Sequence, residues 1–290
     1  MSSTLLILLV TTDLSPTQPP WVPPNCFFSI DDVELAWTFP DSHFDFVHIR
    51  CLMGSIKDWP ALYRQAYDHI SPGGWIQHLD MDLSFISDDG TVGDDHLMAQ
   101  WSKALFDAGE VTGKTFNVPN RMSRLIQDAG FEDMQQVWYK IPVRGWTKDK
   151  LRKEVGKWNY HYCLQGCEGW ALLLLNKVLQ WRMEEIQDFI AKFKDALGDK
   201  KNHAYYNILA NAAQSPPLAG SFNCFTVFAN NMFDNGIGDG PFVKATSTNS
   251  RAVGVVLDTT QMRADIIARY DKPKSLLDNL EASRTKKVNC

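Results

Sequence analysis

Thr4-Leu5-Leu6-Ile7-Leu8-Leu9-Val10-Thr11-Thr12-Asp13 is the stretch on which the fold turns. It is apolar without interruption, becomes β-branched towards its end, and stops on an acid. A surface helix would show polar residues at regular helical intervals and a half-exposed strand would alternate, so an unbroken run reads as a strand buried on both faces of a parallel sheet. Asp13 then falls at the carboxyl end of that strand, the edge at which α/β sheets bind their ligands. The pattern recurs downstream. Cys26 to Ile30 reads as a short strand running into Asp31 and Asp32, Phe44 to Arg50 as a third, and Trp75 to Leu79 as a fourth.

The intervals between these strands carry helical sequence. Trp59 to Ile70 has helical spacing, with Pro60 in a first turn that Asp58 can cap. Ser71-Pro72-Gly73-Gly74 breaks it before the next strand. Helices are expected near Asp95 to Thr112, Asn120 to Gly130, Lys148 to Tyr160 and Gly169 to Ala196, with a strand at Gln135 to Ile141. Strands alternating with helices predict an α/β fold with a parallel sheet. Pro16 to Pro24 holds five prolines and a tryptophan and is read as a loop. Asn207 to Gln214 is poor strand sequence, and Asn211 to Ser221 reads as a linker. Phe222 to Ala229 and Ala252 to Leu257 are read as strands, and Gln261 to Tyr270 and Lys274 to Ser283 as helices. The resulting division is a domain over residues 1–210 and a C-terminal extension over 211–290.

Composition narrows the class of function. The chain has 290 residues, 44% hydrophobic and 22% charged, with a formal net charge of −5, which offers no electrostatic footprint for nucleic acid or an anionic membrane. A small-molecule substrate is the expected partner. The run Leu5 to Val10 lacks a basic flank and is too short to span a bilayer, so a cytoplasmic location is expected, with the nucleus as the alternative. The six cysteines are scattered. Cys163 and Cys167 with His161 lack a fourth ligand, so no metal is expected.

Several motifs together resemble one family. They are Phe44-Asp45-Phe46-Val47-His48-Ile49-Arg50, then Gly54-Ser55-Ile56-Lys57-Asp58-Trp59-Pro60, then Ser71-Pro72-Gly73-Gly74-Trp75. To these are added Asp13-Leu14-Ser15-Pro16, Gln18 to Asn25, the pair Asp31-Asp32, Gly156-Lys157-Trp158-Asn159 and His203-Ala204-Tyr205. In this order, over roughly residues 10–207, they resemble the fungal LaeA-type methyltransferase family. The resemblance implies a class I methyltransferase (Rossmann-like) fold, with a seven-stranded sheet whose last strand is antiparallel and helices on both faces. It implies S-adenosylmethionine as cofactor, with Asp13 on the ribose hydroxyls, Asp31 or Asp32 beside the adenine, and His48, Ile49 and Arg50 along the methionine portion. Each has a plainer alternative: Asp13 as a turn cap, the acid pair as a solvated strand end, His48 as a core histidine.

The chain also departs from that family. Twelve residues precede Asp13 and none is glycine, whereas the family places a strand and a glycine-rich loop there, the loop that lets backbone approach the cofactor. The vacated place is the central one. Three outcomes are open: an incomplete gene product, Thr4 to Val10 moving into the centre, or a second chain supplying the strand as a homodimer or other protein partner. Gln77 stands where the family usually has glutamate.

Three functions compete. The first is methyl transfer in fungal secondary metabolism, with His78 or His96 as acceptor base. The second is a methyltransferase fold without the cofactor that catalyses another reaction, such as cyclisation by a pericyclase. Its expected apolar pocket is Trp101, Trp146, Trp158, Tyr160 and Tyr162. The third is a non-catalytic regulatory partner.

Overall fold

The computed structural model describes residues 8–15, 24–217 and 251–256. Two strands open it, β1 (Leu8–Asp13) and β2 (Cys26–Ile30), followed by β3 (Phe44–Arg50). Helix α1 (Trp59–His69) leads into a long strand, β4 (Ile70–Ile86). After α2 (Leu97–Thr112) and α3 (Met122–Asp128) come β5 (Glu132–Pro142) and α4 (Lys150–Leu173). A π-helical turn over 174–178 separates α4 from α5 (Met183–Gly198), and β6 (Tyr205–Gln214) and β7 (Arg251–Val256) complete the set.

The seven strands form one sheet in the order β2-β1-β7-β3-β4-β6-β5. Only β6 runs antiparallel to its neighbours. This is the α/β architecture expected of the class I fold, with one antiparallel strand, although that strand is β6 and the last described strand in the chain, β7, is parallel to its neighbours. Three expectations are corrected. Asn207 to Gln214 lies in β6, paired to β4 on one side and β5 on the other, because small residues in a central strand let both neighbours and the flanking core close in. The break at Ser71 to Gly74 is absorbed into β4, with a register irregularity opposite Phe44 and Phe46. The helix expected over Gly169 to Ala196 is instead the end of α4 and the whole of α5, divided by the π-helical turn.

The central place is taken neither by the first strand nor by another chain. Strand β7 lies between β1 and β3, parallel to both, with Thr11 opposite Gly254 and Gly254 opposite His48. Strand β1 sits one place further out. Residues beyond 210 therefore contribute to the sheet, and β6 itself crosses that expected division. The strand expected at Phe222 to Ala229 and the helices expected after Gln261 lie outside the described residues, as do Thr4 to Ile7 and the proline-rich loop over 16–23.

Two apolar cores hold these elements. In the first, Val47, Ile49, Ile76 and Leu209 of the sheet meet Trp59, Leu62, Tyr63 and Ala66 of α1 and Met122 and Ile126 of α3. The α1 residues recur at one-turn spacing, and Asp58 caps the helix by accepting the Ala61 amide at 2.8 Å. Burial of each large aliphatic side chain contributes about 1.5–3 kcal/mol. In the second, Phe85, Ile141 and Tyr206, from the ends of β4, β5 and β6, meet α2, α4 and α5 through Trp101, Cys163, Ile186 and Phe193.

Gly156 explains one sequence motif. A Cβ there would stand 1.9 Å from the Arg144 carbonyl oxygen, so α4 can approach that backbone only with glycine. Asn159, one turn on, donates to the Pro142 carbonyl at 2.9 Å and accepts from the Tyr206 hydroxyl at 2.8 Å.

Candidate active site

Strand register places the chemistry. Asp13 pairs with Ile30, and Asp31 donates its amide to the Asp13 carbonyl at 3.0 Å, so the two acids stand side by side at the carboxyl edge. Thr12 is level with Val255, Val256 with Arg50, and Arg50 with Leu79. Asp13 and Arg50 are thus two strand spacings apart, about 10 Å, with the end of β7 between them. Strand β4 does not stop at this level but runs on to Ile86, about 20 Å beyond Leu79. The edge is therefore stepped: β2, β1, β7 and β3 end low, and β4 rises beside them, leading to the helices of the second core.

Asp13 is buried, and one of its oxygens accepts the Ser15 amide at 3.0 Å. Asp31 is exposed and its Oδ1 accepts the Asp32 amide at 2.8 Å, while Asp32 turns its carboxylate to the Glu34 amide at 2.9 Å. Of that pair, Asp31 is the one beside Asp13. Arg50 is exposed at the same level. His48 is half-buried with its Nδ1 sealed and without a hydrogen-bond partner, and it stands opposite Gln77 in the β3–β4 register. Burial, then the Arg50 charge, lower its pKa from 6.5 to about 4.

Immediately after Arg50 the chain makes a tight turn. Cys51 has φ 55° and Gly54 φ 71°. The amides of Leu52 and Met53 both donate to Asp80 Oδ2, at 3.1 and 2.9 Å. The other Asp80 oxygen accepts the Met81 amide at 2.9 Å, and His78 Nε2 lies 3.2 Å from Oδ2. On its far side, His78 Nδ1 lies 2.6 Å from the Tyr63 hydroxyl, and Trp59 stacks on the ring at 5.1 Å. The carboxylate can only accept, which puts a hydrogen on His78 Nε2, facing Asp80; Nδ1 of the neutral ring then accepts from the Tyr63 hydroxyl, whose pKa burial, reinforced by Asp80, holds well above its ordinary value.

A second polar group lies at the top of β4. Tyr205 donates to Asp88 at 2.7 Å and Lys140 pairs with Asp88 at 2.6 Å, while His203 Nδ1 meets Asp89 at 2.5 Å. The hydrogen bonds of Thr91 and of His203 hold Asp89 down at about 2.

The two histidines expected as acceptor bases are both engaged in the structure. His78 is fully buried in the network just described, and His96 caps α2 by accepting the Met98 amide at 3.2 Å. The five aromatics expected to line a pocket do not converge on one wall. Trp101 is in the second core, stacked on Phe193 at 3.9 Å, whereas Trp158 is 70% exposed. Trp146 donates to the Ala204 carbonyl at 3.0 Å and lies against His203, Tyr160 lies under Arg144 at 4.8 Å, and Tyr162 packs on Trp170. Helical spacing marks buried aromatics without distinguishing core from pocket. The residues missed were Asp80, Tyr63, Asp88 and Asp89. The signal available for Asp80 was a second polar residue two places after His78, on the face of the strand that also carries Ile76.

Among the described residues no group of three or more His, Cys, Asp or Glu side chains could hold a metal ion. No described helix is long and apolar enough to cross a membrane. Cys163 is buried and its thiol is pushed up to about 12, mainly by that burial.

A family model described as a methyltransferase domain matches residues 8–136. The chain is 38% identical over 210 residues to methyltransferase pytC of Aspergillus terreus, which covers 72% of this chain and 64% of that protein. It is 32% identical over 207 residues to secondary metabolism regulator LAE1 of Cochliobolus heterostrophus, covering 70% of this chain and 67% of that one. The chain thus spans somewhat less than two thirds of pytC. Among solved structures, Haemonchus contortus phosphoethanolamine N-methyltransferase 2 in complex with S-adenosyl-L-methionine aligns at 16% identity with a TM-score of 0.35, over 66% of this chain and 37% of that one. A likeness so slight carries no argument.

Proposed function

The chain belongs to the family of fungal methyltransferase-domain proteins that includes pytC and LAE1, and from that premise we propose that it is an S-adenosylmethionine-dependent methyltransferase acting on a small molecule of fungal secondary metabolism. The observation that carries this reading is the side-by-side placement of Asp13 and Asp31 at the carboxyl edge, two strands from Arg50.

The donor set fits the nucleoside half of the cofactor. Asp13, a buried carboxylate closing its strand, suits ribose hydroxyls, and Asp31 at the neighbouring strand end suits the adenine side. For the methionine end the described residues offer the turn after β3 and the Arg50 guanidinium, and no glycine-rich loop. When bound, the cofactor supplies an electrophilic methyl group. The chain's own contribution is then orientation and exclusion of water: Asp13 holds the ribose, and the rise of β4 screens one side of the step. Neither His78 nor His96 is assigned the role of base here, because the ring nitrogens on which that role would draw are already bonded in the structure.

Titration calorimetry with S-adenosylmethionine and S-adenosylhomocysteine tests the proposal. Binding is expected, weakened about tenfold or more by Asp13→Ala, the loss of a charge-assisted contact. Absence of heat and of any thermal shift at millimolar ligand overturns it.

A second reading, the same fold working without the cofactor, is favoured by one feature. The residues that follow the central strand, Leu257-Asp258-Thr259-Thr260, contain no glycine. Product analysis with cofactor-free protein on polyketide or terpenoid intermediates separates the two.

A further inference from the structure

Burying a carboxylate away from any cation is expensive, and an apolar side chain of similar size would ordinarily serve a core better. Asp80 is fully buried, and its hydrogen bonds among the described residues are with donors: the amides of Leu52, Met53 and Met81, and His78 Nε2. Two of these amides belong to the turn that leaves β3 at the site. The remaining amides of that turn are taken as well. Cys51 donates to the Leu79 carbonyl at 3.1 Å, Gly54 to Thr115 at 3.1 Å, and Ser55 to Leu52 at 2.9 Å. The left-handed backbone at Cys51 is one that a residue with a side chain adopts only when its surroundings hold it there. A Cβ on Gly54 would meet the Phe116 ring at 2.3 Å, so the turn is gripped from the outside too.

The network beneath Asp80 has a direction. Tyr63 donates to His78, and His78 donates to Asp80, so the carboxylate cannot rotate without breaking the chain of bonds that ends on α1. Trp59 closes over the imidazole. Helix α1, the centre of β4 and the mouth of β3 are tied together through one carboxylate.

We propose that Asp80 is a positioning residue: through the Tyr63–His78 pair it holds the turn 51–55 in the one conformation that completes the ligand site beside Arg50. This rests on the reading of that edge as the S-adenosylmethionine site. It assigns His78 to the support of the site rather than to proton transfer.

The test uses the full chain with Asp80→Asn, and Tyr63→Phe as the milder change. Three quantities are measured: amide exchange at Leu52 and Met53, affinity for S-adenosylhomocysteine by calorimetry, and the thermal midpoint. Asp80→Asn is expected to speed exchange at both amides and to weaken the ligand by about tenfold or more, the size expected for lost charge-assisted bonds. Tyr63→Phe is expected to shift both in the same direction by a smaller factor, about threefold, because Asp80 keeps its amides and loses only its support. It decides the matter should Asp80→Asn fail to fold. A lowered thermal midpoint with unchanged affinity and unchanged exchange at Leu52 and Met53 would show a merely structural role and overturn the proposal. Wild-type protein that binds no S-adenosylhomocysteine overturns the functional reading instead. The exchange rates then decide alone whether Asp80 holds the turn: faster in Asp80→Asn if it does, unchanged if it does not.

Discussion

His48 shows how a single side chain couples the site to stability. Its pKa falls from 6.5 to about 4 because folding buries the ring and sets it near Arg50, outweighing the opposing influence of Gln77. Between those two values the unfolded chain binds the proton and the folded one does not. Stability is therefore greatest above the unfolded value, declines as pH drops below 6.5, and levels off once pH passes below about 4. With allowance for the partial exposure of the residue, the loss between pH 7 and pH 4 is about 2 kcal/mol. Chemical denaturation across that range should show the wild type losing this much more than His48→Gln, which has no proton to bind. Parallel curves for the two proteins would mean that the ring is solvated. The acids at Asp13 and Asp31 could be read from sequence because an acid closing an apolar strand marks the ligand edge of any parallel sheet. The fate of His78 could not, because its partners Tyr63 and Asp80 arrive from a different helix and from farther along its own strand.

At the scale of elements, β7 is, among the described strands, the one hydrogen-bonded link between β2-β1 and the rest of the sheet. Asp13 and Asp31 of the proposed site lie on one side of it, and Arg50 and Asp80 on the other. Val253→Pro removes an amide from a strand paired on both flanks and leaves buried backbone groups unmatched, at about 1–3 kcal/mol each. Amides of β1 should then lose protection in hydrogen exchange while those of α1 and β4 keep theirs. Equal loss throughout would mean that the two parts of the sheet do not depend on β7 separately. That a strand lies near Ala252 was legible from its residues, and it is found at Arg251–Val256. Its destination was not, since pairing partners so remote in sequence leave no local signal. Strand β6 failed to stand out for a different reason: Ala210, Ala212 and Ala213 have little intrinsic preference for a strand and are held there by burial.

Across the whole molecule, the two cores are continuous through three strands. Ile76 and Phe85 lie on β4, and Leu209 and Tyr206 on β6, one of each pair in each core, while β5 sends Ile141 to the second and Met134 to the first. An opening of the helical part would strip the strand ends and propagate into the sheet. We expect a single transition, with tryptophan fluorescence, weighted to Trp59, Trp75 and Trp101, coinciding with far-ultraviolet circular dichroism in both midpoint and slope. Separated midpoints would show that the helices α2, α4 and α5 melt independently. The α/β class and most element positions followed from periodicity and from glycine and proline breaks. The stepped edge did not, because it depends on how far β4 overruns β3, a matter of register rather than composition.

The central position of β7 also sets an order of events during synthesis. Thr11 and His48 leave the ribosome early, yet the glycine that bridges them, Gly254, is translated after every other described strand. Until then the nascent chain carries two unsatisfied inner edges, open to pairing with the wrong partner. Closing contacts so distant along the chain is slow, so folding of this sheet waits on translation and competes with aggregation throughout that interval.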